Sequence, residues 1–405
     1  MISKSLISAA LMMIATPVMA QLSLDDYIEA VVEYSYAIAG AEAKVEGADA
    51  EYMVARRGML PSVSLSSDAD LNSSGNKPVW AVRADVMQPI YNGGRMKAIA
   101  RQQEWNLIEA ERVLEGSMLD VKYEAEIAYW ALSRAEIYRG AMLDYVTLVE
   151  TLRDVAQHRF EEGYTSKSDL LQVESRLSDA EYLLSEAEQR WRIALHNFNT
   201  LRGVDAAMDV FLGQSVFDNF VMPLREDVTS IMERHPDYLA AVAAKEVAQY
   251  GVVIRKAHYL PTLNMGLFGL WQPPVGDSVS GGVLLSLKLP IFHFMERREA
   301  LRSAMSSYTY AEVQIADVVD NITLNESNGW ANLEYSYKRV KAVAHNLDIA
   351  RENLEISTYS YREGVVTILD VLQAQLSWLQ IYENAIAAEY DYAVAIASYR
   401  YIVGL

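Results

Sequence analysis

The chain carries one pattern twice, about 200 residues apart, and this duplication limits its fold more than any other feature. The first copy reads Phe160-Glu-Glu-Gly163-Tyr-Thr-Ser-Lys-Ser-Asp169-Leu-Leu-Gln172, the second Tyr361-Arg-Glu-Gly364-Val-Val-Thr-Ile-Leu-Asp370-Val-Leu-Gln373. Register holds without a gap to Leu201-Arg-Gly203 and Ile402-Val-Gly404. Nearly the same offset pairs Leu60-Pro61 with Leu260-Pro261, and Gln88-Pro89-Ile90-Tyr91 with Leu289-Pro290-Ile291-Phe292. A unit of about 180 residues is therefore duplicated, far longer than a solenoid period. Two copies of one elongated unit suit two staves of a larger object.

Proline divides each copy into elements. None falls between Tyr91 and Met222, or after Ile291. Because a proline inside a helix costs about 3 kcal/mol, these stretches leave room for very long helices. Pro61, Pro89, Pro261 and Pro290 instead bracket two short segments that alternate. Val63, Leu65, Ala69 and Leu71 share one face, against Ser62, Ser64, Ser66, Asp68 and Asp70 on the other. On the return, Trp80, Val82, Ala84 and Val86 oppose Arg83 and Asp85. The second copy has Leu263, Met265 and Leu267, then Val283, Leu285, Leu287 and Leu289. Runs of about 9–10 residues, joined by polar turns at Asn72-Ser-Ser-Gly75 and Pro273-Pro-Val-Gly-Asp277, match transmembrane β-strands. A pair of ordinary hairpins on a soluble domain is the plainer alternative. Four strands cannot close a membrane barrel, and an open edge in lipid leaves backbone groups unpaired. If these strands span a bilayer, several chains must share one barrel.

The helical stretches carry a seam. From Leu170 it runs Val173, Leu177, Ala180, Leu184, Ala187, Trp191, Ala194, Phe198 and Leu201. Steps of three and four favour left-handed coiled-coil packing. Shifted by 201, it becomes Val371, Ala374, Trp378, Ile381, Ala385, Ala388, Tyr392, Ala395, Tyr399 and Ile402. Long helices are expected from about Gly94 to Glu162 and from Glu296 to Glu363, each about 100 Å. The flanking helices, roughly Leu24–Gly58, Ser168–Leu201, Asp227–His258 and Thr367–Ile402, are about half as long. Two half-length helices stacked end to end match one long helix alongside. Each stave then has a hairpin at one end and the Gly163 or Gly364 turn at the other.

Residues 1–20 read as a secretory signal peptide, with Lys4, an apolar stretch from Leu6 and small Ala20 before the cut. No later segment offers about 18 uncharged apolar residues. Residues 21–203 form the first repeat with hairpin 62–89, 204–226 a connecting segment, and 227–405 the second repeat with hairpin 262–290. Cysteine is absent, which removes disulfides, thiolate metal sites and the lipidated cysteine of a lipoprotein. A net charge of −19 argues against nucleic acid and against an anionic membrane surface. The six histidines form no metal-binding spacing, and Gly93-Gly94 lacks the lysine of a phosphate loop. No catalytic constellation, cofactor site or metal site is expected.

The order signal, helix, Leu-Pro-strand, strand-Gln-Pro-Ile-Tyr-Asn-Gly-Gly-Arg95, long helix, Arg159-Phe-x-x-Gly163 turn, helix, and repeat resembles the TolC family. The most specific segments are Pro89-Ile-Tyr-Asn-Gly-Gly-Arg-Met-Lys-Ala98 and Gly364-x5-Asp370-Val-Leu-x-Ala-Gln375. The resemblance implies a mixed α and β fold. Three chains, with four strands each, would build a twelve-stranded transmembrane β-barrel continuous with a periplasmic α-helical barrel of coiled-coil helices. It implies a passive exit duct in the outer membrane of a Gram-negative bacterium, serving a tripartite efflux pump or type I secretion system. Partners would be two further copies, outer-membrane lipid, a periplasmic adaptor and an inner-membrane transporter of RND or ABC type. A soluble periplasmic coiled-coil adaptor or structural protein is the alternative, and an exported enzyme a weaker third.

Site residues follow from the same resemblance. Gly163, Tyr164, Thr165 and Ser166, with Gly364, Val365, Val366 and Thr367, would form the adaptor-docking tip. Asp370, Gln373, Tyr361 and Asp169 would line the pore constriction, although both aspartates also suit helix N-termini. Pro61, Pro89, Gly93, Gly94, Pro261 and Pro290 would mark strand–helix junctions. Two departures stand out: Gln373 replaces a second acidic residue, and Val366 replaces a basic latch. A weaker acidic ring and fewer polar latches are therefore expected.

Overall fold

A computed structural model describes residues 21–70, 79–218, 220–272, 276–291 and 294–405. The expected signal peptide, the turn at 72–75 and residues 273–275 of the second turn lie outside these. Chain order is α1 (Leu24–Tyr34), α2 (Tyr36–Arg57), β1 (Ser62–Asp70), β2 (Val79–Tyr91), α3 (Arg95–Glu161) and α4 (Lys167–Leu201). There follow α5 (Val228–Arg234), α6 (Pro236–Ala257), β3 (Thr262–Gln272), β4 (Gly276–Lys288), α7 (Glu296–Arg362) and α8 (Ile368–Ile402). Both long helices run 67 residues without interruption, as their freedom from proline permits. No helix among the described residues is long and apolar enough to cross a membrane.

Two expected helices are broken instead. The first stops at Tyr34 because Ser35 adopts an extended backbone and its hydroxyl accepts the Ile38 amide, starting α2 anew. Two hundred residues on, His235 does the same for α6: it is extended, its ring accepts from the Asp237 amide, and Pro236 follows at the first turn. The duplication thus includes the break. Two smaller corrections concern strands. β2 continues through Pro89 to Tyr91, across a bulge, and β4 already begins at Gly276.

The chain divides into two compact units. One gathers residues up to 34, 122–222 and 333–397. Its core joins Met142, Tyr145 and Val149 of α3, Val173 and Ala180 of α4, Tyr361 of α7, and Val371 and Ile386 of α8. None of the α4 and α8 seam residues is exposed. Within this unit Tyr27 stacks on Phe198 with ring centroids 3.8 Å apart, and its hydroxyl donates to the Phe198 carbonyl at 3.0 Å. The Tyr129 hydroxyl donates to Leu22 O and accepts the Gln214 amide, which ties the connecting segment to α3.

The other unit gathers 35–121, 223–332 and 398–405, and holds the sheet. Strand order is β1-β2-β3-β4, all antiparallel, so β2–β3 pairing joins the two hairpins into one surface. Register stacks Val63 on Val86, Leu65 on Ala84 and Ala69 on Trp80. It continues with Val86 on Leu267, Val82 on Trp271, Met265 on Leu285 and Leu267 on Val283. One face is thus apolar across all four strands, and Val63, Leu65, Leu267, Val283, Leu285 and Leu287 are each more than half exposed. The opposite face carries Ser64, Ser66, Asn264, Ser286 and the Arg83–Asp85 pair at 2.8 Å. In the same unit Arg225 ties the segment before α5 to α7, its guanidinium donating twice to buried Glu326 at 2.9 Å.

The strand–helix junctions are built around backbone shape. Pro61 and Pro261 directly precede β1 and β3, and Pro290 follows β4. Gly93 and Gly94 take φ of +64° and +81°, and a Cβ on Gly93 would lie 2.6 Å from that of Leu260. The equivalent residues 201 positions later are Phe294 and Met295, which hold φ of +30° and +69° without being glycine.

Candidate functional site

The unit without strands contains both hairpin tips, α3–α4 and α7–α8. Each turn is a Schellman motif. Gly163 has φ +82°, with Tyr164 N donating to Arg159 O at 2.7 Å and Gly163 N to Phe160 O at 3.0 Å. Gly364 has φ +77°, with Val365 N donating to Ser360 O at 2.8 Å and Gly364 N to Tyr361 O at 3.0 Å. The left-handed backbone explains glycine at both positions. Tyr164, Val365 and Leu369 stand exposed around these turns.

Both aspartates cap helices. Asp169 accepts from the Thr165 hydroxyl at 2.8 Å and the Ser166 amide at 3.2 Å, while Ser166 Oγ accepts the Asp169 amide in return. Asp370 accepts from the Thr367 hydroxyl at 2.7 Å and its amide at 2.8 Å. The threonine hydroxyls are the main cause that holds both carboxyls below the usual aspartate range. Asp370 and Gln373 are exposed to solvent, Asp169 partly so. Gln172, Arg176, Leu369, Leu372 and Gln373 line a groove of about 290 Å³ between α4 and α8.

Tyr361 is buried within the core, and burial raises its hydroxyl's pKa. The hydroxyl lies near Thr165 and Asp169 but makes no hydrogen bond of ordinary geometry. A latch does form here, from a residue the expectation overlooked. Arg159 of α3 donates Nη1 to the carbonyls of Tyr361 (3.0 Å) and Arg362 (3.3 Å), and its guanidinium lies 5.1 Å from the Tyr361 ring centroid. Those carbonyls belong to the last turn of α7, where the Tyr361 carbonyl also accepts the Gly364 amide, so the cation meets the negative helix terminus. Arg159 thus supplies a polar tie between the tips that the expectation of fewer polar latches did not include. The signal for it lay in the duplication: the second copy has Ser360 where the first has Arg159. Gln375 was also missed. It is buried with both amide atoms unpaired, beside a slot of about 60 Å³ that Leu152, Thr358 and Tyr361 also line.

Comparison with known proteins decides the family. The model of the outer membrane efflux protein family matches residues 28–204 and 228–405, nearly the whole described chain and in two copies. The chain belongs to that family. Among its relatives, Protein CyaE of Bordetella pertussis is 24% identical over 378 residues, covering 88% of this chain and 79% of the relative. Outer membrane efflux protein BepC of Brucella suis is 20% identical over 408 residues, covering 98% and 89%. The solved open state of the MtrE outer membrane channel of Neisseria gonorrhoeae superposes with a TM-score of 0.83 at 17% identity, covering 94% and 88%. The fold is therefore that of the TolC-like channels, and this is a transport protein of the outer membrane.

Proposed function

We propose that this chain is one stave of a homotrimeric passive exit duct. The observation that carries the proposal is the sheet: one continuous exposed apolar face, with β1 and β4 each paired on one side only among the described residues. In lipid those edges must pair, and only another chain can supply the partner strand. Three chains of four strands would make a barrel of about twelve, within the range of outer-membrane barrels. The apolar face would meet lipid, Trp80 and Trp271 near the hairpin turns would join the aromatic girdle, and the Arg83–Asp85 face would line the lumen.

The long helices then form a periplasmic conduit whose tips are the Gly163 and Gly364 turns. Exposed Tyr164 and Val365 there suit docking by a periplasmic adaptor, which would connect the duct to an inner-membrane transporter of an efflux pump or type I secretion system. Asp370, repeated by symmetry, would ring the constriction with carboxylates, and such rings favour cations. The capping geometry is compatible with this role, since both donors to Asp370 come from Thr367 and the carboxylate remains open to solvent. Energy must come from the partner transporter.

Single-channel recording of the protein in a planar bilayer tests the reading. Wild type should give small cation-selective openings, and Asp370→Ala should conduct more and select less. No conductance from folded, inserted protein would refute the duct. Unchanged selectivity in the variant would refute the ring.

A further inference from the structure

We propose that the strand–helix junctions form a basic collar that binds anionic phospholipid headgroups of the leaflet on the helical side. The chain as a whole is strongly acidic, yet acids are sparse around these junctions, with Glu296 and Glu299 beside Arg297 and Arg298 the exception. No Asp or Glu occurs in residues 52–67, 86–103, 247–276 or 278–295. The described helix ends and strand ends there carry Arg57, Lys97, Lys256, Lys288, Arg297 and Arg298, all exposed and all within the sheet-bearing unit. Among the described residues none of the six makes an ion pair. The nearest pairs, Arg101–Glu104, Lys245–Glu312 and Arg302–Glu299, use other side chains.

Helix electrostatics explains only part of this. Arg57 and Lys256 end α2 and α6, where cations complement the helix dipole. Lys97 sits in the first turn of α3, and Arg297 and Arg298 in the first turn of α7. That is the positive end, where cations are unfavourable. In α7 that cost is partly offset by Glu296 and Glu299 in the same turn and by the Tyr259 ring, 5.7 Å from the Arg297 guanidinium, but the first turn of α3 holds no acid to offset Lys97. The apolar sheet face ends here, and exposed Ile90, Leu289 and Ile291 lie in the same chain segments as Lys97, Lys288 and Arg297. Apolar and basic side chains mixed at the edge of a lipid-facing surface suit the headgroup zone, where long cationic side chains reach phosphate. Each such charge near an anionic surface is worth roughly fivefold in binding.

The inference rests on the membrane-spanning reading of the sheet, and one experiment separates the two. The full protein is inserted into vesicles of phosphatidylcholine alone and of phosphatidylcholine mixed with phosphatidylglycerol. The lipid retained on the detergent-extracted protein is then identified. Phosphatidylglycerol should be enriched several-fold over its share of the vesicle. The preference should collapse in ~1 M salt, where the screening length falls to about 3 Å. The triple variant Lys97→Gln, Arg297→Gln, Arg298→Gln should lose most of the enrichment, and Lys97→Gln alone, which removes only an exposed charge that the α3 dipole opposes, should lose part of it with unchanged thermal unfolding. Equal retention of both lipids at low salt, or enrichment intact in the variant, would overturn the collar. Failure to insert into either vesicle would overturn the membrane reading beneath it.

Discussion

At the α3–α4 tip, glycine reverses the chain, a reciprocal serine–aspartate box starts the next helix, and Arg159 reaches out to α7. At the α7–α8 tip the same glycine turn recurs, but Asp370 caps alone and Ser360 replaces the arginine. The junctions diverge in the same manner: Gly93-Gly94 in one copy, Phe294-Met295 in the other, with positive φ at all four. Duplication has kept the backbone path and let the side chains specialise. What the two copies share therefore reports what the fold demands. Where they differ, one copy has become the holder and the other the held.

The junctions should separate the copies most strongly. Gly93→Ala adds a Cβ that meets Leu260 while the backbone stays left-handed, so stability should fall by about 2–3 kcal/mol. Met295→Gly should stabilise by about 1 kcal/mol, because it relieves a left-handed non-glycine residue. Thermal unfolding of the two variants compares them directly. Equal effects of one sign would mean that the junctions are not equivalent.

A smaller effect is expected at the latch. Arg159→Met removes two bonds to partly exposed carbonyls and should cost about 1 kcal/mol after allowance for solvent. Amide exchange should quicken at Gly364 and Val365 and stay unchanged at Gly163 and Tyr164. Ser360→Ala should do neither. Exchange that rises equally at both tips would contradict the one-way hold.

Acid should distinguish the caps more subtly. Both carboxyls titrate below their ordinary value when folded, so the unfolded chain takes up protons first as pH falls. Their contribution is complete above about pH 4 and is lost as pH drops through the folded values. α4 keeps its Ser166 hydroxyl cap in acid, whereas α8 loses the carboxylate that Thr367 donates to. Exchange at the start of α8 should therefore rise before that of α4. Simultaneous fraying would deny any benefit from the reciprocal box.

The strands were legible in advance because period-two alternation and bracketing prolines are local signals, and Val63 to Val86 fell on one face as read. The long helices were legible by the absence of proline. The break at Ser35 was not, since one serine cap inside a helical pattern leaves almost no trace; Pro236 marks the equivalent break openly, yet the helix expected over Asp227–His258 ran across it. Arg159 escaped because its partners lie 202 and 203 residues away, and no local pattern specifies such a reach. The positive φ of Phe294 and Met295 escaped because neither is glycine; only alignment with Gly93 and Gly94 betrays it.

Sheets from several chains should close one barrel, β1 of one copy against β4 of the next. The chain has no native cysteine, so paired cysteines report on this cleanly. Single cysteines along β1, starting with Leu65→Cys, would be combined with cysteines along β4, starting with Leu285→Cys, in outer-membrane preparations. Non-reducing electrophoresis should reveal one covalent trimer for the pairs in register, and monomer when either cysteine is absent. Monomer throughout the scan, from protein that is inserted and folded, would contradict a shared barrel.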